Sequence, residues 1–376
     1  MCMSGHAGED AGERGTLGRR GLLTALGGAG LALGLAAASG GPLAAAAPPG
    51  PAPRKAHLEV VLLGTQAGPP PKPDRAGIST ALLVDGSIYL IDCGRSSLTQ
   101  FMRAGLDLTA IRSIFLTHLH IDHIADYYNY VALGGAPVSG GLGSTGPVGV
   151  YGPGSAGGLP PKFGGGTAPV VSPPDPVPGT RALTQQWTNA VAYSSNLFIR
   201  DSGITDPTTL LDVHEIALPD VGASFTNTAP AMRPFPVMSD DKVKVTAILV
   251  PHGPVFPSFA FRFDTAYGSV TFSGDTTRSP NLLALAENTD LLVHEAINLE
   301  GAQLPPALRN HMLESHVEVQ SVGSIAEAAH AKRLVLSHLV DFAHDSIDVP
   351  RWRRWAQNGY TGPVAVGTDL QRIAIG

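Results

Sequence analysis

The sequence predicts a layered α/β fold with β-sheet at its centre, and three observations carry that reading. Short apolar runs of strand length recur along the chain, and after residue 241 they alternate with helical spacing. Near the start, Asp85-Gly86 separates two such runs, a hairpin signal that makes the opening β-rich. With 376 residues and 43% hydrophobic, the chain has enough apolar material for one large core. Gly 45 and Pro 32 make about a fifth of the chain, above the average of ~12% but short of the ~25–30% of general disorder.

The first residues read as a leader. Arg19-Arg20 stands before an uncharged stretch, rich in Gly and Ala, that runs to about Ala47. A membrane span wants ~20 strongly apolar residues, whereas Gly27-Gly28, Gly30, Gly34, Gly40-Gly41 and Pro42 dilute this one. A signal peptide over 1–47, similar to a twin-arginine export signal, fits better, with an A-x-A site at Ala44-Ala45-Ala46 and a linker over 48–56. Export places the mature protein in the periplasm, on the cell surface or outside the cell. Processing removes Arg14, Arg19 and Arg20 together with Glu9, Asp10 and Glu13, so the net charge stays at -6. It also removes Cys2. Cys93 then stands alone, which excludes an internal disulfide and any Cys-rich zinc module.

The remaining domain, 57–376, is justified element by element. Residues 58–63 form a continuous apolar run closing in Gly64-Thr65, a buried strand and turn. Strands at 81–84 and 88–91 flank the Asp85-Gly86 turn, and 98–106 has the spacing of a short helix. Residues 113–116 form a buried strand that leads straight into a histidine cluster, followed by a helix over 124–133 and a strand at 148–151. An interruption spans 152–241. It is Gly/Pro-rich coil as far as Pro178, with a helix expected over 183–198. Structureless loops beyond ~15 residues are usually functional or disordered, so this insert is expected to be an active-site lid. Strands follow at 243–250, 258–263, 270–272, 291–293 and 334–336. Val319, Val322, Ile325, Ala326 and Ala329 give the helix between the last two.

The chemistry sits in Thr117-His118-Leu119-His120-Ile121-Asp122-His123, three imidazoles and a carboxylate within six residues at the end of a strand. Such a tight loop can turn His118 and His120 to one point, and Asp122 and His123 to a second nearby. Neutral imidazole nitrogens and carboxylate oxygens suit zinc. Two metals held a few ångströms apart can clamp one bridging hydroxide.

This H-x-H-x-D-H loop resembles the signature of the metallo-β-lactamase superfamily, and the resemblance covers nearly the whole chain from Gly64-Thr65 onward. It implies an αββα sandwich, two mixed β-sheets flanked by helices, with metals at one edge. It also implies two zinc ions, the first held by His118, His120 and His252, the second by Asp122, His123 and His338, with Asp275 bridging both. Independently of the resemblance, each candidate falls at the end of a predicted strand, where open α/β sheets present their ligands. The same ligands accept manganese or iron.

Two further motifs place the resemblance in a branch. Leu292-Val293-His294-Glu295-Ala296 is similar to the His-Glu-Ala-Thr motif of the ribonuclease Z group, with Ile297 in place of Thr. Ser315-His316-Val317-Glu318 is similar to that group's His-Ser-Thr motif. By that resemblance Asp122, His316 and Glu295 form the catalytic set. His316 contacts phosphoryl oxygens or protonates the leaving group, and Glu295 orients it, a general-acid role worth about 10²–10⁴-fold. Secreted arylsulfatases and cyclic-nucleotide phosphodiesterases share this architecture. The segment 339–345 lacks the arginine that the ribonuclease group usually places there, and the -6 charge leaves no basic surplus for transfer RNA. The expected protein is therefore an exported dizinc hydrolase of small phosphodiester or sulfate esters, using metal-bridged hydroxide. Attack on a carbonyl, as in lactonases and β-lactamases, is the alternative, and an inactive metal-dependent binder comes third. Relatives of this kind are often dimers, which leaves a homodimer open, although the sequence does not fix the oligomeric state. His6, His57, His214, His311, His330 and His344 lack motif context, and His294 is expected to pack or to orient a neighbour.

Overall fold

A computed structural model of the protein describes residues 56–135 and 140–376, so the leader and most of the linker lie outside the described residues. Among the described residues, the first six strands are β1 (Leu58–Gly64), β2 (Ser79–Val84), β3 (Ser87–Ile91), β4 (Ile111–Phe115), β5 (Val148–Gly152) and β6 (Leu211–Glu215). Seven more follow: β7 (Phe235–Ser239), β8 (Val243–Leu249), β9 (Phe259–Thr265), β10 (Gly268–Phe272), β11 (Leu291–Asn298), β12 (Leu334–Asp341) and β13 (Val364–Val366). The last, β14 (Arg372–Ile375), returns to the beginning. They form two seven-stranded sheets, ordered β14-β1-β2-β3-β4-β5-β6 and β13-β12-β11-β10-β9-β8-β7.

Each sheet is half antiparallel and half parallel. The hairpin β2–β3 is antiparallel, and from β3 to β6 every pair is parallel. In the second sheet β7 to β10 is antiparallel, then β10 to β13 parallel. The β2–β3 turn is the expected one. Asp85 and Gly86 have φ of 47° and 82°, the left-handed pair that a two-residue hairpin of matching twist requires.

Among the described residues are nine α-helices: α1 (Ser97–Arg103), α2 (Ile121–Ile124), α3 (Tyr127–Ala132), α4 (Thr180–Ala190), α5 (Ala192–Ser202), α6 (Pro280–Ala286), α7 (Pro306–Ser315), α8 (Val319–Ala328) and α9 (Val349–Gln357). The layers follow from alternation along the strands. Val60 and Leu62 of β1 join Phe115, Phe261 and Phe263 in a core between the sheets, with the rings of Phe261 and Phe263 centred 5.5 and 5.0 Å from that of Phe115. Val61 and Leu63, pointing the other way, meet Phe101 of α1 and Tyr127, Tyr130 and Val131 of α3. Leu292, Leu334 and Leu336 meet α8 and Trp352 of α9. Each buried phenylalanine contributes about 1.5–3 kcal/mol by leaving water. The expected αββα sandwich is what forms. No described helix is long and apolar enough to cross a membrane.

Several elements differ from the sequence expectation. The helix expected over 124–133 is two short pieces, α2 and α3, and the one expected over 183–198 is α4 and α5, broken at Val191. The interruption 152–241 is not structureless beyond that, because it holds β6 and β7, the far edge strand of each sheet. Helices α6, α7 and α9 and strands β13 and β14 had no strong signal.

Candidate metal centre

Strand β4 ends at Phe115, and Thr117 to His120 then cross its carboxyl end before α2 begins at Ile121. This turn brings His118, His120, Asp122 and His123 together. The second sheet supplies the rest. His252 follows β8, and Asp275 follows β10 after Gly274, whose φ is +58°. A side chain at Gly274 would place its Cβ 2.4 Å from the Phe259 carbonyl oxygen, so only glycine lets the loop present Asp275 here. His338 departs from expectation, because β12 runs three residues beyond it instead of ending there. A bulge opposite Glu295 and a φ of +52° at His338 turn its ring out of the strand toward the other donors.

The seven side chains converge as two donor sets that share one oxygen. His118, His120 and His252 form one group, and Asp122, His123 and His338 another. His252 Nε2 lies 3.2 Å from His120 Nδ1, and His338 Nε2 lies 3.4 Å from Asp122 Oδ2. Asp275 Oδ2 lies 3.9 Å from His118 Nε2, 3.7 Å from His252 Nε2, 3.3 Å from His123 Nε2 and 3.1 Å from His338 Nε2. A tetrahedral ion with nitrogen ligands at ~2.0–2.1 Å sets its ligand atoms about 3.3 Å apart, the spacing seen here.

The buried polar atoms support the same conclusion. His118 Nε2, His123 Nε2 and Asp275 Oδ1 are buried and have no hydrogen-bond partner among the described residues. A buried polar atom left unpaired costs about 1–3 kcal/mol. A metal ion at the shared point satisfies these atoms, so the donor set fits the group that the sequence implies.

The opposite ring nitrogens are held by hydrogen bonds that free the inward ones. His252 Nδ1 donates to the Ser315 carbonyl at 2.9 Å. Asp92, buried at the end of β3, accepts from Thr117 N at 2.8 Å, Thr117 Oγ1 at 2.9 Å and His123 Nδ1 at 2.8 Å. Thr117 Oγ1 in turn lies 3.1 Å from His118 Nδ1, whose N–H it can accept. Burial pulls the His118 imidazole well below its ordinary value, reinforced by the neighbouring His123 and His120. Burial likewise holds His252 down at about 3. Both rings are neutral at physiological pH, the form in which imidazole binds metal.

Beside the donors stand the two other expected residues. Glu295 is buried, and its Oε1 accepts from Val317 N at 3.0 Å and lies 3.3 Å from His316 Nδ1. His316 sits where α7 ends, before α8, its ring 4.9 Å from that of His252. Burial pulls its value down, but the Glu295 carboxylate outweighs this and raises it to about 9, so the ring carries a proton at neutral pH.

A cavity of about 440 Å³ opens over these groups, with His120, Asp122, His252, Asp275, His316 and His338 at its base. Its walls come from the 66–75 loop, the turn after His252, α7 and the segment after His338. None of the lining residues comes from 152–241. That segment reaches the wall through Phe163, whose ring lies 4.6 Å from that of His311.

Three residues without motif context prove relevant. Asp92 orients a donor. His311 and His344 line the cavity, with His344 Nδ1 3.2 Å from Asp341. His294 is fully buried with Nδ1 2.6 Å from the Glu295 carbonyl, a packing role as expected.

Residues 74–169 match the family model described as the metallo-beta-lactamase superfamily. Ribonuclease Z of Mycobacterium avium (strain 104) is 28% identical over 319 residues, covering 85% of this chain and 98% of the relative. The chain is therefore similar to the metallo-β-lactamase superfamily, through its 74–169 segment and through this relative. Its two-sheet fold carries His/Asp clusters capable of binding metal. Ribonuclease Z of Mycobacterium tuberculosis (strain ATCC 25618 / H37Rv) is 27% identical, again over 85% of this chain and 98% of its own. Among solved structures, the short form of human tRNase Z superposes with a TM-score of 0.56 at 22% identity, over 85% of this chain and 99% of that one. A metallo-β-lactamase fold protein from Bacillus subtilis gives a TM-score of 0.54 at 18% identity, covering 84% of this chain and 99% of its own. These two structural likenesses speak for the fold alone.

Proposed function

We propose that the protein is an exported dizinc hydrolase of small phosphodiester or sulfate esters. The observation that carries this reading is His316, held by Glu295 at 3.3 Å and lining the same cavity as the donors His120, Asp122, His252, Asp275 and His338. When bound, zinc there supplies Lewis-acid polarisation of the ester and activation of water. His118, His120 and His252 would hold one ion, Asp122, His123 and His338 the other, and Asp275 both.

The chain's own residues do the rest. A protonated His316 beside the donors gives the site a cationic wall, which favours an anionic ester over a neutral carbonyl substrate. Asp122, steadied by the Gly68 N–H on its Oδ2 at 3.0 Å, orients the attacking water. Water's oxygen bonds to phosphorus or sulfur, the bond to the leaving oxygen breaks, and that oxygen takes the His316 proton. The proton released by water then restores His316. Glu295 keeps the ring oriented and charged throughout.

The relatives named ribonuclease Z suggest an RNA substrate, but a net charge of -6 supports a small ester in preference to a polyanion. The test is the zinc-loaded protein with bis(4-nitrophenyl) phosphate, 4-nitrophenyl sulfate and a precursor transfer RNA in parallel. Turnover of either small ester, with the RNA untouched, is expected. RNA cleavage alone, or no turnover of any of the three, contradicts the reading.

A further inference from the structure

The cavity is unusual in what it does not offer. Its lysine and arginine each stand beside carboxylates. Lys72 Nζ lies 3.8 Å from Asp345, and Arg75, with Asp369 and Asp74 near its guanidinium, donates through Nη1 to Thr65 Oγ1 at 2.7 Å and to the Gly367 carbonyl at 3.3 Å. The rest of the upper wall is largely apolar, with Leu308 and Met312 of α7 on one side and Phe342 and Ile347 on another. Ile121, between the donors His120 and Asp122, is 55% exposed yet faces this space, and Leu308 is 38% exposed. Large apolar side chains gathered around a concave, small-molecule-sized site mark a surface that an apolar group covers.

The placement of α7 says which part of the substrate that group is. The Met312 carbonyl accepts the His316 N–H at 2.8 Å, so Met312 sits one turn before the proton donor on the same helix. The helix that delivers the acid also delivers the apolar wall. We propose that this chamber holds the leaving group, that the substrate is an anionic ester of an uncharged apolar alcohol or phenol about one ring in size, and that Leu308 and Met312 set this preference. The assignment rests on the hydrolase reading above, and it narrows that reading by excluding leaving groups that carry charge, nucleotide chains included. An anionic leaving group meets only cations that already have carboxylates beside them, and it loses its water shell on entry.

The experiment uses the zinc-loaded protein with aryl phosphodiesters whose leaving phenols are matched in acidity, one neutral and one bearing a sulfonate. Calorimetric binding of benzylphosphonate and its 4-sulfo derivative gives the same comparison without turnover. The expected result is a kcat/KM at least about tenfold higher for the neutral leaving group, and tighter binding of the neutral phosphonate. Leu308→Ala reduces the preference, and Met312→Lys, on a helix whose only buried residue is Ser315, shifts it toward the sulfonated ester. Equal turnover of both esters by the unmodified protein, or a preference unmoved by both substitutions, overturns the chamber assignment while leaving the hydrolase reading intact. Failure to turn over any ester overturns that reading, and the chamber assignment with it.

Discussion

Asp92→Asn tests the metal centre without touching a ligand. The Asp92 carboxylate is buried and takes three hydrogen bonds, from Thr117 N, Thr117 Oγ1 and His123 Nδ1. An asparagine can keep its oxygen on Thr117 N, which has nowhere else to donate. Its amide NH2 then faces His123 Nδ1. Two N–H groups cannot face each other at 2.8 Å, so the ring must move its proton to Nε2, the nitrogen that points at Asp275 and the other donors. A protonated Nε2 cannot ligate. Outer partners of this kind are worth 10–100-fold in metal affinity, which corresponds to about 1.4–2.7 kcal/mol. The assay is competition for zinc against a chromophoric chelator, with circular dichroism to show that the variant is folded. A folded variant that holds zinc as tightly as the parent refutes the reasoning.

Further outcomes follow from the same geometry. His316→Gln lowers kcat by about 10²–10⁴-fold with zinc content unchanged, read from steady-state kinetics and elemental analysis, and Glu295→Gln moves it in the same direction. Zinc at 100-fold its dissociation constant stabilises the chain by about 2.7 kcal/mol over the chelated form, seen as a rise in Tm, and His118→Ala blunts that rise. Burial raises the Asp341 carboxyl, but hydrogen bonds from Asn298, Ala343, His344 and Trp352 outweigh it and leave the value below the ordinary one. A depressed carboxyl contributes its full stability above about pH 4 and loses it as pH falls through the lower folded value. Asp341→Asn therefore lowers stability by about 1–3 kcal/mol at neutral pH and flattens the acid limb, measured as Tm from pH 3 to 7. If 1–47 is an export leader, the protein outside the cytoplasm begins near Pro48 by N-terminal sequencing, and replacing Arg19 and Arg20 with lysine retains it inside.

The legible part of the site was the part that is contiguous. His118 to His123 share one turn, so their chemistry shows in the sequence itself. His252, Asp275 and His338 lie far apart in the chain and were found through strand ends together with a family resemblance. Asp92 carried no such signal. It follows an apolar strand as any turn residue can, and only the parallel register Ile91↔Phe115 sets it beside Thr117. His344 was missed because its partner Asp341 belongs to a strand that runs further than its apolar core suggested.

The fold was legible where strands are buried on both faces and read as unbroken apolar runs. Edge strands were not. Only Val213 is buried in β6, and β7 contains Pro236, which an edge tolerates because it has no ladder hydrogen bond to give on that side. Helix α7 buries only Ser315 and so shows no apolar stripe, although it carries the wall that the chamber assignment depends on. Helices α6 and α9 open on Ser279-Pro280 and on Asp348 before Val349-Pro350, start signals that lie in the sequence but are too short-ranged to stand alone.

The proposed ester hydrolysis requires two metal ions that share Asp275. The most direct measurement titrates metal-free protein with zinc while following hydrolysis of bis(4-nitrophenyl) phosphate. Activity that rises to a plateau at two equivalents of zinc per chain is the predicted result. A plateau at one equivalent, or no hydrolysis when zinc is saturating, contradicts it.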